Sequence, residues 1–133
     1  MNSVFADTSF FVAFLSRRDR FHDLANELML TLQARMVTTD WVVVEIANFM
    51  AKTPLRAEAA NLIRRVQANP RMDIVPASAA AIEEGLKLYE QYADKAWSLT
   101  DCISFRIMRN ERLSQALTAD HHFEQAGFEI LLR

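Results

Sequence analysis

Four carboxylates in this 133-residue chain stand apart from the other acids because no neighbouring charge accompanies them. Asp7 is the only charged residue in positions 1–16. Glu45 is the only one between Asp40 and Lys52, inside the apolar run Trp41-Val-Val-Val-Glu-Ile-Ala-Asn-Phe-Met-Ala51. Asp101 stands alone between Lys95 and Arg106, and Asp120 between Arg112 and Glu124. A carboxylate removed from water must be protonated, paired or bound to a cation. No lysine or arginine adjoins any of the four, so the pattern predicts a shared cation. Oxygen-only ligands favour Mg2+ or Mn2+ over zinc, and the solitary Cys102 agrees.

Each acid also has a local use. Asp7 can cap a helix starting at Thr8, and Glu45 can reach solvent or a distant arginine. Asp101 lies three residues after Ser98, a variant of the capping box, and Asp120 can cap a turn at 121–126. Capping does not preclude metal binding. Hydroxyls flank the acids: Thr8 and Ser9, Ser98 and Thr100, Thr118. They can orient carboxylates or metal-bound water. For Ser9 and Thr100 the expectation is ordinary capping and strand propensity.

The elements that must position these groups follow from hydrophobic periodicity and turn signals. Strands are expected at 3–6, 36–39, 72–75, 116–119 and 128–132. Helices are expected at 8–16, 21–35, 41–52, 55–68, 78–92 and 98–113, with a helical turn at 121–126. Asp40 is the expected cap of the third helix, whose all-round apolar character predicts burial. Ile82, Leu86 and Tyr89 form the expected core stripe of the 78–92 helix. Short strands alternating with helices predict an α/β fold with a mostly parallel sheet, helices on both faces, and a single domain over 1–133. In such sheets ligands sit at the carboxyl ends of the strands, where Asp7 and Asp120 fall.

Composition narrows the classes. The chain is 51% hydrophobic and 24% charged, which excludes a disordered linker. No apolar stretch reaches membrane-spanning length, no secretory signal is visible, and one cysteine makes no intramolecular disulfide. The expected compartment is a reducing cytoplasm. Two glycines, Gly85 and Gly127, exclude a Walker loop or a dinucleotide-binding turn. The net charge of −2 argues against coating nucleic acid through bulk positive charge.

The runs Phe5-Ala-Asp-Thr-Ser9, Thr38-Thr-Asp-Trp-Val-Val-Val-Glu-Ile-Ala-Asn48, Trp97-Ser-Leu-Thr-Asp-Cys-Ile-Ser-Phe105 and Leu117-Thr-Ala-Asp-His-His-Phe-Glu-Gln-Ala-Gly-Phe128 resemble the PIN-domain family, and within it the VapC-like toxin ribonucleases. The resemblance spans about residues 3–132, and the ordered set of four runs is specific where any one is weak. It implies a three-layer α/β/α sandwich and divalent-metal-dependent RNA cleavage leaving a 5′ phosphate. It also implies an antitoxin partner that wraps the toxin, and a homodimer. The family's acidic quartet falls on Asp7, Glu45, Asp101 and Asp120, and its supporting hydroxyls on Thr8, Ser98 and Thr118. One departure is Ala96, where relatives often carry an acid; Asp94 lies two residues earlier.

On this reading Asp7, Asp101 and Asp120 hold one Mg2+ or Mn2+, and Glu45 completes the site or supports a second ion. The metal polarises a phosphate oxygen and helps deprotonate a water for in-line attack. Of His121 and His122, at most one can face the site, and the expectation for both is an exposed or capping role. Without the four ligands the net charge is 15 − 13 = +2. Arg17, Arg18 and Arg20 are then candidate phosphate contacts, with Lys52 and Arg56 flanking Pro54. Trp97 is the candidate base-stacking aromatic or else core, and Trp41 is expected in the core. Phe49-Met50 and Leu62-Ile63-Val66 can form a dimer or antitoxin groove. Two rivals remain. An aspartyl-phosphate protein would need a second aspartate where Ser9 stands, or a late strand-end lysine, and no lysine follows Lys95. A silent PIN-fold binding module, or a PIN nuclease outside a toxin–antitoxin pair, is the other.

Overall fold

The computed structural model describes residues 2–133. Five strands and seven helices alternate: β1 Ser3–Ala6, α1 Thr8–Leu15, α2 His22–Thr31, β2 Arg35–Thr39, α3 Asp40–Met50, α4 Arg56–Ala68, β3 Met72–Val75, α5 Ala79–Gln91, α6 Leu99–Asn110, β4 Gln115–Leu117, α7 His121–Gln125 and β5 Glu129–Ile130. The strands form one sheet in the order β3-β2-β1-β4-β5, and every pairing is parallel. Helices flank this sheet, giving the expected three-layer α/β/α sandwich.

β1 is central, and its Val4, Phe5 and Ala6 are buried, as a strand covered on both faces requires. The chain leaves β1 first to one side (β2, then β3) and later to the other (β4, then β5). The order therefore reverses between β1 and β4, which is where an open α/β sheet makes its ligand crevice. The register pairs Ala6 with Leu117, and the Asp7 amide continues the ladder to the Leu117 carbonyl at 3.1 Å. Asp7 thus leaves the sheet beside Thr118.

Several boundaries differ from the sequence expectation for local reasons. Thr39, not Asp40, caps α3: its hydroxyl accepts from the Val42 amide at 3.1 Å. Asp40 opens the helix, and its carboxylate instead accepts from the Ala77 amide at 2.9 Å. α6 ends at Asn110 because Arg112 adopts a left-handed conformation (φ 58°), with the Leu113 amide donating back to the Met108 carbonyl at 2.8 Å. α2 stops at Thr31, four residues early, with Leu32 already extended.

Two faces also differ. α3 is not buried all round: Val42, Ile46 and Met50 face the core, while Val44, Glu45, Ala47, Asn48 and Phe49 are exposed. Ile82, Leu86 and Tyr89 of α5 are partly exposed and lie outside the buried core. The reason is Gly85, the buried residue of α5, which packs directly on α6. A Cβ there would press on Ile103 Cγ1 and lie 3.2 Å from the Ile103 backbone nitrogen and Cα. Ile103 is fully buried and β-branched, so it has little room to turn aside. Gly85→Val is expected to destabilise the protein by about 1–3 kcal/mol, read from the denaturant midpoint, by forcing α5 off α6.

Candidate active site

The four acids arrive from four elements. Asp7 follows β1, Glu45 lies in α3, Asp101 in the first turn of α6, and Asp120 at the start of α7. Asp7 is 6% exposed and is not used as a side-chain cap of α1. Its Oδ2 accepts instead from the Thr118 hydroxyl at 3.0 Å. That same hydroxyl oxygen accepts from the Asp120 amide at 3.1 Å and lies 2.9 Å from the Ser9 hydroxyl. Ser9 in turn accepts from the Ala119 amide at 3.1 Å. One hydroxyl pair thereby ties the end of β1 and the start of α1 to the segment that carries Asp120. Ser9, read from sequence as an ordinary capping residue, is a structural member of the site.

Asp101 and Ser98 form a reciprocal capping box: the Ser98 amide donates to Asp101 Oδ2 at 3.1 Å, and the Asp101 amide to Ser98 Oγ at 3.0 Å. Asp120 caps α7, accepting from the His122 amide at 2.9 Å. His122 joins the two: its Nδ1 lies 3.1 Å from Asp101 Oδ2 and 3.4 Å from Asp120 Oδ1. The sequence offered only the adjacency of His122 to Asp120, and adjacency does not fix a side-chain direction. His121 is exposed, with its Nδ1 3.8 Å from Asp120 Oδ1. Together Asp120, His121 and His122 bring one donor atom each within 4.8 Å.

Glu45 departs from expectation. It is exposed, and not a buried charge. It is nonetheless held to the site, because Thr8 Oγ1 donates to its Oε1 at 2.5 Å.

Burial pushes the Asp7 carboxyl up to about 7, and the charges of Asp101 and Glu45 push it the same way against the Thr118 hydrogen bond. Asp101 is raised as well, by burial first and by the Asp120 charge, while the Ser98 amide and His122 oppose the rise. Among the described residues no lysine or arginine forms an ion pair with any of the four. A buried acid, with like charges crowding it and no basic partner, is stabilised by a hard divalent cation, although the donor group already drawn within 4.8 Å joins Asp120 to His121 and His122 rather than to Asp7 and Asp101. Cys102, beside Asp101, is buried and its thiol is pushed up to about 11, so it offers no thiolate nucleophile.

Other expectations are relocated. Trp97 is buried: its ring packs 5.0 Å from Phe105 and 4.9 Å from Tyr92, and its indole N–H donates to Gln125 at 2.9 Å. It is a core residue and not a stacking platform. Trp41 is only half-buried and lines a surface depression. Arg17, Arg18 and Arg20 are exposed just past the C-terminal end of α1, one helix length (about 12 Å) from the carboxylate end. The Arg20 guanidinium sits 4.7 Å over the Phe21 ring. Lys52 is exposed, and Arg56 donates to the Ala51 carbonyl at the end of α3. Phe49 and Met50 line a cavity of about 750 Å3 with Val12, Leu15 and Leu55, whereas Leu62 and Val66 are core residues elsewhere. Asp94 is exposed and paired with Lys95 at 3.3 Å.

A parallel α/β sheet with acids just past the carboxyl ends of the two strands at its switch point defines a class of proteins that bind a ligand beside carboxylates. The PIN domain model matches residues 4–129, and the chain belongs to that family. It is similar to the 23S rRNA-specific endonuclease VapC20 of Mycobacterium tuberculosis, with 26% identity over 126 residues, 94% of this chain and 95% of that protein. The crystal structure of that protein, described as a sarcin-ricin loop cleaving toxin, superposes with a TM-score of 0.85 at 22% identity, covering 94% of this chain and 95% of the other. A toxin-antitoxin complex from Klebsiella pneumoniae matches with a TM-score of 0.68 at 14% identity, covering 96% and 95%. FitAcB from Neisseria gonorrhoeae matches with a TM-score of 0.65 at 18% identity, covering 96% of each chain. No helix among the described residues is long and apolar enough to cross a membrane.

Proposed function

We propose that this chain, read as one nuclease domain over residues 1–133, is a divalent-metal-dependent endoribonuclease and the toxin of a toxin–antitoxin pair. The observation that carries the reading is Asp7: a buried acid at the sheet's switch point, crowded by other acids and unpaired with any base. The similarity to an rRNA endonuclease along nearly the whole chain supports RNA as the substrate class.

Asp7, Asp101 and Asp120 would hold Mg2+ or Mn2+, with Glu45 completing the site; the ion supplies charge neutralisation at the phosphate and a more acidic water. The protein's own work is positioning. Thr118, steadied by Ser9, holds Oδ2 of Asp7. Ser98 anchors Asp101 through the capping box, and Thr8 holds Glu45 inward from the surface of α3. His122 keeps the Asp101 and Asp120 carboxylates in register. Arg17, Arg18 and Arg20 would meet phosphates some distance from the cut. The product would carry a 5′ phosphate.

The cavity lined by Phe49, Met50, Val12, Leu15 and Leu55 suits an apolar segment of an antitoxin, and a homodimer acting in the cytoplasm completes the proposal. The test is cleavage of a mixed structured and single-stranded RNA pool. Cleavage with Mg2+ or Mn2+, lost in excess EDTA, is the expected result. Full activity in EDTA overturns the metal mechanism. No cleavage under any metal overturns the nuclease reading in favour of a silent binding module.

A further inference from the structure

A depression of about 310 Å3 opens beside Glu45, formed by Trp41, Val44, Glu45 and Asn48 of α3, with Ala77 before α5 and Thr100 at the start of α6. Positions 41, 44, 45 and 48 recur at helical spacing, so they share one face of α3. The depression adjoins the acidic site on two sides: Glu45 is in its wall, and Thr100 precedes Asp101 in the chain. Its rim is fixed, because Asp40 accepts a hydrogen bond from the Ala77 amide at 2.9 Å.

Resting on the ribonuclease reading, we propose that this depression receives the nucleobase next to the scissile phosphate, with Trp41 as its stacking platform and Asn48 as the group that reads its edge. The chemistry favours a base over other occupants. Asp40 and Glu45 make the walls acidic, so a phosphate is repelled while a neutral base is not. Trp41, half-buried, offers an aromatic surface held in place by packing against the core, and Val44, 57% exposed, adds apolar area. Asn48 is exposed and carries both a donor and an acceptor, the pair needed to tell one base edge from another. A space of this size, in the small-ligand range, takes one ring system but not a helix. Buried Trp97 cannot supply the stack, which leaves Trp41 as the tryptophan available to RNA.

The experiment uses the full chain and a randomised single-stranded oligoribonucleotide pool. Binding is followed by tryptophan emission in Ca2+, and cleavage by sequencing the products formed in Mn2+. RNA is expected to quench the wild-type emission but not that of Trp41→Phe, in which only buried Trp97 emits. Trp41→Ala should bind the pool about ten-fold more weakly, the loss of one base–aromatic stack. Trp41→Phe should keep most of the affinity. Asn48→Ala, at an exposed position, should alter the base preference at one position beside the cut. Mn2+ affinity should be unchanged in all three.

Equal binding, equal quenching and an unchanged product profile in the variants overturn the subsite and leave the depression to a protein partner. If Trp41→Ala does not fold, Trp41→Phe quenching and the Asn48→Ala product profile decide. A wild type that neither binds nor cleaves the pool removes the ribonuclease reading itself, an outcome distinct from failure of the subsite alone.

Discussion

Asp7→Asn is expected to lose RNA cleavage by roughly 10³-fold or more while making the metal-free protein more stable. The activity loss follows from position. Asp7 is the most buried of the four acids, and substituting groups one step further from a metal already costs about 10–100-fold. The stability gain follows from linkage. The Asp7 carboxyl ionises at about 7 in the folded protein against 3.8 for the free side chain. Between those values the folded state holds a proton that the unfolded state has released. Metal-free stability therefore falls as pH rises from about 4 to about 7 and stays low above it. Three pH units correspond to an upper figure of about 4 kcal/mol.

Asparagine keeps an acceptor for the Thr118 hydroxyl and carries no charge, so its stability profile should be flatter over that range. Saturating Mn2+ should stabilise the wild type at pH 8, because it binds the folded state alone, and should leave Asp7→Asn unmoved. Thermal melts from pH 4 to 8, with and without Mn2+, check every part. A wild-type curve that rises with pH in the absence of metal would contradict the assignment.

Phe105→Ala is the second large effect, and it acts through the frame. Phe105 is fully buried one helical turn beyond Asp101. Its ring lies 4.9 Å from Phe123, 5.0 Å from Trp97 and 5.8 Å from Phe128. Phe123 belongs to α7, the short helix that also carries His122 and is capped by Asp120. This aromatic cluster is what presses the Asp101 turn of α6 against α7. Truncation removes a large buried ring and leaves a cavity, with an expected cost of about 3–5 kcal/mol. Mn2+ affinity should fall with it, since Asp101 and Asp120 lose their common support. Phe105→Leu, which keeps most of the volume, should recover much of both. The check pairs the denaturant midpoint with a Mn2+ titration. Full stability with lost affinity would mean that Phe105 has a role other than packing.

The elements, and the placement of three acids of the candidate site, were legible because local signals set them. Asp7 follows the apolar run Val4-Phe5-Ala6, Asp101 sits three residues after a serine, and Asp120 precedes a helical turn. Each signal involves residues within a few positions of one another. What failed depended on which face of a helix met which neighbour. Glu45 lies in an apolar run and reads as buried, yet the core takes only Val42, Ile46 and Met50 of that helix. The apolar stripe of α5 reads as a core face, yet Gly85 sets the packing because it alone admits Ile103 so closely. The two tryptophans show the same dependence: Trp97, open between stacking and core on sequence, is fixed beneath Tyr92 and Phe105, and Trp41, expected in the core, is left at a rim. His122 and Ser9 were undervalued because their partners lie 21 and 109 residues away.

On the proposed reading Asp7, Asp101, Asp120 and Glu45 gather a divalent ion. Calorimetric titration of Mn2+ into the wild type and Asp7→Asn at pH 8 tests it most directly. Saturable binding to the wild type is expected, with proton release growing as the pH is lowered towards 7, and loss of that binding in Asp7→Asn. Equal Mn2+ binding by the two proteins, or RNA cleavage by a wild type that binds no divalent ion, would contradict it.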